Sequence, residues 1–188
     1  MKHIAILASG SGTNALNIIN YFKNSDKARV ALVISNKSKA GVIEKAMLAD
    51  VPVMLLTGRN HFEDKRLSGF LLRQKIDLVV LAGFLLLVPP HLVAAFPNRI
   101  INIHPALLPK YGGKGMYGMK VHEAVIANKE KESGITIHYV NEKYDEGQVI
   151  FQARCPVEAG DTPETLAQKV HQLEYEHFPK VIEKLLAT

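Results

Sequence analysis

Through its first hundred residues the chain alternates short apolar runs with segments whose apolar residues fall at helical spacing. Few folds accept that pattern. The apolar runs cover 3–8, 29–35, 51–56, 77–82 and 99–104, and the spacing predicts helices over 13–23, 40–50, 62–74 and 89–96 between them. Short strands alternating with helices are βαβ units, whose right-handed crossovers lay helices on the faces of an open parallel sheet. The run 77–82 is almost wholly Leu and Val, as a central strand covered on both faces requires.

The second half changes character. Residues 107–119 are rich in Gly, Pro and Tyr and read as a loop; a helix is predicted over 121–128. Residues 135–140 alternate, 148–156 form a second strand pattern, and the polar segment 141–147 joins them as a turn. Thr162-Pro163-Glu164 has the order of a helix start, with a polar cap, Pro at the first position and an acid in the first turn. The expected fold is α/β: one domain over 1–188, an open, mainly parallel twisted sheet with helices on both faces and an antiparallel C-terminal appendix. Residues 1–100 are its Rossmann-like, phosphate-binding half, and 101–188 carry the catalytic residues.

Charge narrows the partners. Lys and Arg exceed Asp and Glu by 23 to 18, a net +5, but the basic residues are dispersed. No basic stripe interleaves with aromatics, so a nucleic acid is not expected. The one cysteine, Cys155, has no internal partner, which fits a reducing, cytoplasmic setting and a structural thiol. The strongest apolar stretch, 78–88, contains Gly83 and stops at Pro89-Pro90, well short of the roughly 20 residues of a membrane span.

The first turn reads Ser9-Gly10-Ser11-Gly12-Thr13-Asn14-Ala15 between a strand and a helix. Backbone N–H groups at a helix start, with glycines permitting close approach, make an anion site. Gly12, Thr13 and Asn14 are its candidate phosphate ligands, and Gly12→Val is expected to block that approach. Gly10-x-Gly12-x-x-Ala15 also matches a dinucleotide fingerprint, but the second strand ends Ile34-Ser35-Asn36 without the carboxylate that holds a ribose. A monophosphate, a dinucleotide and a merely tight turn all remain open at this point.

Asn102 and His104 lie two apart at the end of a strand, so they project from one face. Asn supplies a neutral donor to a developing oxyanion, and His a proton near neutral pH. Asp145, in the turn before Gly147, is placed to tune that imidazole. A turn-forming Asp and a structural His are the plain alternatives. No His-Glu-x-x-His or cysteine pair gives metal-ligand spacing, so no metal is expected. His122 and His138 could line the cleft, though packing or surface roles are the plainer reading of each.

Asn102-Ile-His-Pro-Ala-Leu-Leu-Pro109, with Asp145-x-Gly147-x-x-Ile150 downstream, resembles the signature of the folate-dependent formyltransferases. The resemblance covers essentially the whole chain. It implies a 10-formyltetrahydrofolate donor and, with the loop at 9–14, a 5'-phosphoribosylglycinamide acceptor in de novo purine biosynthesis. Transfer would be direct, through a tetrahedral intermediate. It implies Asn102, His104 and Asp145 as the catalytic trio and Gly12, Thr13 and Asn14 as phosphate ligands. His171, Gln172, Leu173 and Glu174 would contact the acceptor. Leu85, Leu86, Leu87, Val88 and Asn102 would border the folate. Leu86 stands where many relatives carry Arg, so a folate-tail contact is missing there; Arg59 is a second candidate for that tail. The resemblance makes the protein a cytoplasmic monomer or weak homodimer without membrane or nucleic-acid partners. Of its rivals, a formyltetrahydrofolate hydrolase is expected to carry a preceding regulatory module and a methionyl-tRNA formyltransferase a further tRNA-binding domain. A non-catalytic nucleotide-binding module would not need the trio.

Overall fold

The computed structural model describes residues 1–188, the side chain of Arg59 excepted. Seven strands form one sheet in the order β3-β2-β1-β4-β5-β6-β7. They are β1 (Lys2–Leu7), β2 (Ala28–Ser35), β3 (Val53–Leu55), β4 (Leu78–Leu81), β5 (Ile100–His104), β6 (Glu132–Tyr139) and β7 (Val149–Pro156). The first five are parallel; β6 and β7 are antiparallel, as expected from the change of pattern after residue 106.

Alternation along the strands divides the core between two faces. Ile4 and Ile6 of β1, Leu78 and Val80 of β4, and Ile101 and Ile103 of β5 face one side. There they pack against helices α1 (Thr13–Phe22), α2 (Gly41–Leu48), α6 (Met119–Ala127) and α7 (Pro163–Leu186). Ala5, Leu7, Val79, Leu81 and Ile100 face the other side. That side is covered by α3 (Arg59–Glu63), α4 (Arg66–Arg73) and α5 (Pro90–Ala95). Burying a Leu, Ile or Phe side chain contributes about 1.5–3 kcal/mol, so the two layers together hold the sheet.

One expectation needs correction. A single helix over 62–74 is instead two, α3 and α4. Asp64 takes an extended conformation, and its carboxylate accepts from the Arg66 N–H at 2.8 Å. That short side-chain bond competes with the helical ladder and restarts it one residue later. The final helix starts as read: Thr162 and Thr165 cap it reciprocally, with Pro163 at the first helical position.

The strand order places the site. β1 has β2 on one side and β4 on the other, so successive connections diverge at the carboxyl ends of β1 and β4. Ligands of open α/β sheets sit in the crevice at such a point. Here the crevice opens between the glycine loop after β1 and the turn at Gly83 after β4.

Candidate active site

A cavity of about 630 Å³ fills that crevice and extends past the end of β5. Its walls come from four parts of the chain. Gly10 and Asn14 supply the glycine-loop end; Gly83 to Val88 supply an apolar wall. Asn102 to Pro105 form the floor with His138 and Asp145; Gly113 to Met119 and His122 close the side towards α7, which adds His171 and Glu174.

The floor follows from register. In the antiparallel pairing Asn102 lies opposite His138 and His104 opposite Thr136. The four side chains therefore share one face of the sheet. Asp145 comes from the β6–β7 turn at φ 54, a left-handed conformation that Asp tolerates. The turn is pressed against β6: a side chain at Gly147 would place Cβ 1.6 Å from the Tyr139 carbonyl oxygen. Only glycine lets the turn come that close and carry Asp145 in.

Asp145 ties the floor together. Oδ2 accepts from the Gly113 N–H at 3.0 Å and lies 3.5 Å from His104 Nδ1. Oδ1 is 3.4 Å from Asn102 Nδ2 and 3.6 Å from His138 Nε2. Burial pushes this carboxyl up, but His138, His104 and the Gly113 N–H together hold it below its ordinary value, so it is ionised. Asn102 Nδ2 lies 3.1 Å from His138 Nε2, whose other nitrogen faces the Tyr139 carbonyl at 2.8 Å. With Nδ1 turned to the Tyr139 carbonyl, Nε2 is the ring nitrogen that faces Asn102 and Asp145.

His104 is 4% exposed, and both its nitrogens face acceptors: Nδ1 the Asp145 carboxylate, Nε2 the Tyr111 carbonyl at 2.7 Å. A neutral ring donates to only one of them. Burial nevertheless pulls the imidazole below its ordinary value; Asp145 and the Tyr111 carbonyl oppose this without reversing it. The direction of the Asp145 effect is as read, but desolvation is larger.

At the opposite end, α1 begins at Gly12 with no side-chain cap and no acid in its first turn. The first N–H groups of a helix have no partner within it and carry partial positive charge. Gly12 itself has a different constraint from the one expected. It has φ 76, and a Cβ there would meet Val42 Cα at 2.5 Å. Close packing of α1 on α2 requires this glycine, so Gly12→Val disrupts the fold before it tests any ligand. Asn14 Nδ2 donates to Glu174 Oε2 at 2.8 Å, while Asn14 Oδ1 is buried without a partner. Glu174 is 6% exposed, and burial pushes its carboxyl up to about 7 against the Asn14 bond.

Asn14, Leu85 to Val88, Asn102, His104, Asp145, His171 and Glu174 thus share one cavity. Gly12 and Thr13 stand at the α1 start beside it. Gln172 is exposed and Leu173 packs on the core, so neither lines it. Leu86 lines it and also packs on the α4–α5 side of the core. The side chain of Arg59 lies outside what the structure describes. Cys155 is half-buried on β7, its thiol pushed up by burial.

Sequence reasoning missed Thr136 and favoured packing or surface roles for His138 and His122. His138 reaches the floor through its pairing with Asn102. Thr136 donates to the Ala106 carbonyl at 2.7 Å and accepts from Leu108 N–H at 3.0 Å, anchoring the loop after β5. The alternation Ile135, Thr136, Ile137, His138 carried the signal for both, once β6 is paired antiparallel to β5. His122 lines the cavity on its α7 side, 2% exposed with Nδ1 unpartnered, and burial lowers it to about 4. No group of three or more His, Cys, Asp or Glu among the described residues is placed to hold a metal, and no described helix is long and apolar enough to cross a membrane.

The sequence model of the formyl transferase family matches residues 2–182. The chain is 41% identical over 187 residues to the chloroplastic phosphoribosylglycinamide formyltransferase of Arabidopsis thaliana, covering 96% of this chain and 64% of that protein. It therefore spans just under two thirds of the plant relative's length. It is 36% identical to the phosphoribosylglycinamide formyltransferase of Haemophilus influenzae, covering 97% and 86% of the two chains. The crystal structure of phosphoribosylglycinamide formyltransferase from Bacillus halodurans superposes with a TM-score of 0.88 at 38% identity, over 100% of this chain and 96% of that one.

Proposed function

The chain belongs to the formyl transferase family, and from that premise we propose that it transfers the formyl group of 10-formyltetrahydrofolate to the glycinamide amine of 5'-phosphoribosylglycinamide, a step of de novo purine biosynthesis. The observation that carries this reading is the convergence of Asn102, His104 and Asp145 on a cavity with an apolar wall at one end and a helix N-terminus at the other. The wall at Leu85 to Val88 suits a pterin ring. The α1 start at Gly12, Thr13 and Asn14 suits a phosphate. Asn14 and Glu174, with His171 beside them, offer hydrogen bonds to the sugar and amide between.

The reaction runs through a tetrahedral intermediate. The amine nitrogen bonds to the formyl carbon, and the formyl oxygen takes up the electron pair of the C=O bond. Asn102 Nδ2 and His104 are the donors beside that oxygen. Their contacts with Asp145, at 3.4 and 3.5 Å, are at the long end for hydrogen bonds, so a developing oxyanion competes for these protons. The attacking amine gives a proton to the His104–Asp145 pair, so His104 gains its charge beside the growing oxyanion, with Asp145 favouring the cation. The oxyanion's electron pair then re-forms the C=O bond, the bond from carbon to folate N10 breaks, and N10 takes the proton from His104. The products are the formylated amide and tetrahydrofolate. This reading needs no metal, and it places the protein in the cytoplasm as a monomer or weak homodimer.

The test is to supply the purified protein with both substrates and follow each product. Tetrahydrofolate and formylated glycinamide ribonucleotide should appear one for one. Release of formate without the amine would instead identify a hydrolase.

A further inference from the structure

Ser9 belongs by sequence to the glycine loop whose α1 end is assigned above to the acceptor's phosphate. Its surroundings set it apart from that end. Ser9 is 3% exposed and does not line the cavity. Its hydroxyl gives its one proton to Asn36 Oδ1 at 2.6 Å and accepts from the Leu85 N–H at 3.0 Å. Its own N–H donates to the Gly83 carbonyl at 3.0 Å. No proton of Ser9 is left for an anion. Both bonds to Gly83 and Leu85 cross the switch point between β1 and β4, and Leu85 begins the apolar wall.

We infer that Ser9 is a positioning residue for the formyl donor: it fixes the backbone of the Leu85 wall from behind, although it stands within the acceptor's loop. The inference rests on the donor assignment given above. Asn36, at the end of β2, holds the hydroxyl so that its lone pair faces Leu85. Removing the hydroxyl takes this partner from both the Leu85 N–H and Asn36 Oδ1, and the wall relaxes. The Leu85 N–H is occupied by Ser9, so the donor binds this segment through its other backbone groups and side chains.

Ser9→Ala should raise the donor KM about tenfold, the size expected when a buried N–H loses its partner, with kcat and the acceptor KM within about twofold of the parent. Calorimetry with tetrahydrofolate should show the same weakening. Asn36→Ala should move the donor KM in the same direction by less, since the hydroxyl still meets Leu85, and the pair should be non-additive. Where Ser9→Ala does not fold, the Asn36→Ala result decides alone. A rise in the acceptor KM with the donor KM unchanged would overturn the inference while leaving the formyl transfer intact. Absence of transfer by the parent protein would overturn the functional reading instead.

Discussion

Asn14 Nδ2 donates to Glu174 Oε2 across 2.8 Å, joining the start of α1 to α7 over 160 residues of sequence. The bond closes the α1 end of the cavity and holds a carboxyl in a nearly dry place. Burial raises Glu174 to about 7, and the single Asn14 donor does not compensate.

A stability prediction follows from that shift. The folded value lies above the ordinary 4.5, so the neutral acid is favoured by folding. Its contribution is fully present below about pH 4.5 and is lost as pH rises through about 7, roughly 3 kcal/mol in all. Glu174→Gln imitates the neutral acid and keeps an oxygen for Asn14. Its melting temperature should exceed the parent's by several degrees at pH 8.5 and match it at pH 4.5, while the acceptor KM rises. Equal melting temperatures at pH 8.5 would show that Glu174 is not desolvated in this way.

The two loop glycines should separate. Gly10 has open space where a Cβ would stand and lines the cavity, whereas Gly12 meets Val42 and has positive φ. Gly10→Ala should fold normally and raise the acceptor KM. Gly12→Ala should lose at least about 2 kcal/mol of stability in denaturant titration, since it combines overpacking with a strained backbone. Comparable stability of the two variants would contradict the packing of α1 on α2.

Leu86 offers no charge to a folate carboxylate. Leu86→Ala should therefore change donor affinity little. Leu86→Arg should tighten a polyglutamylated folate by about fivefold, the scale of one exposed ion pair, with little effect on a pterin lacking the tail. An equal gain for both ligands would argue against a tail contact at this position.

Much of the architecture was legible because its causes are local. The Leu and Val run at β4 and the helical spacing at 13–23 each report which faces are covered. The pair Asn102 and His104 was legible for the same reason, since alternation fixes a shared face. His138 and Thr136 were not, because their place depends on which strand β6 joins. The constraint on Gly12 was misread, since its neighbour Val42 is distant in sequence and a phosphate loop offers a sufficient explanation by itself. The net tuning of His104 was not legible, because a sequence shows the neighbouring Asp145 but not the depth of burial.

In the proposed transfer His104 and Asp145 act as one unit on the reacting formyl group, a coupling that a double-mutant cycle in kcat measures. Asp145→Asn keeps the shape and tolerates φ 54, but removes the charge that opposes burial at His104. It should fold and bind both substrates nearly as the parent does, lose at least about a hundredfold in kcat, and shift the His104 ionisation in the pH–rate profile towards acid. His104→Ala should lose as much or more, and the double variant should be scarcely worse than His104→Ala alone. If the two losses multiply and substrate binding collapses with them, Asp145 is a turn residue and the mechanism is wrong.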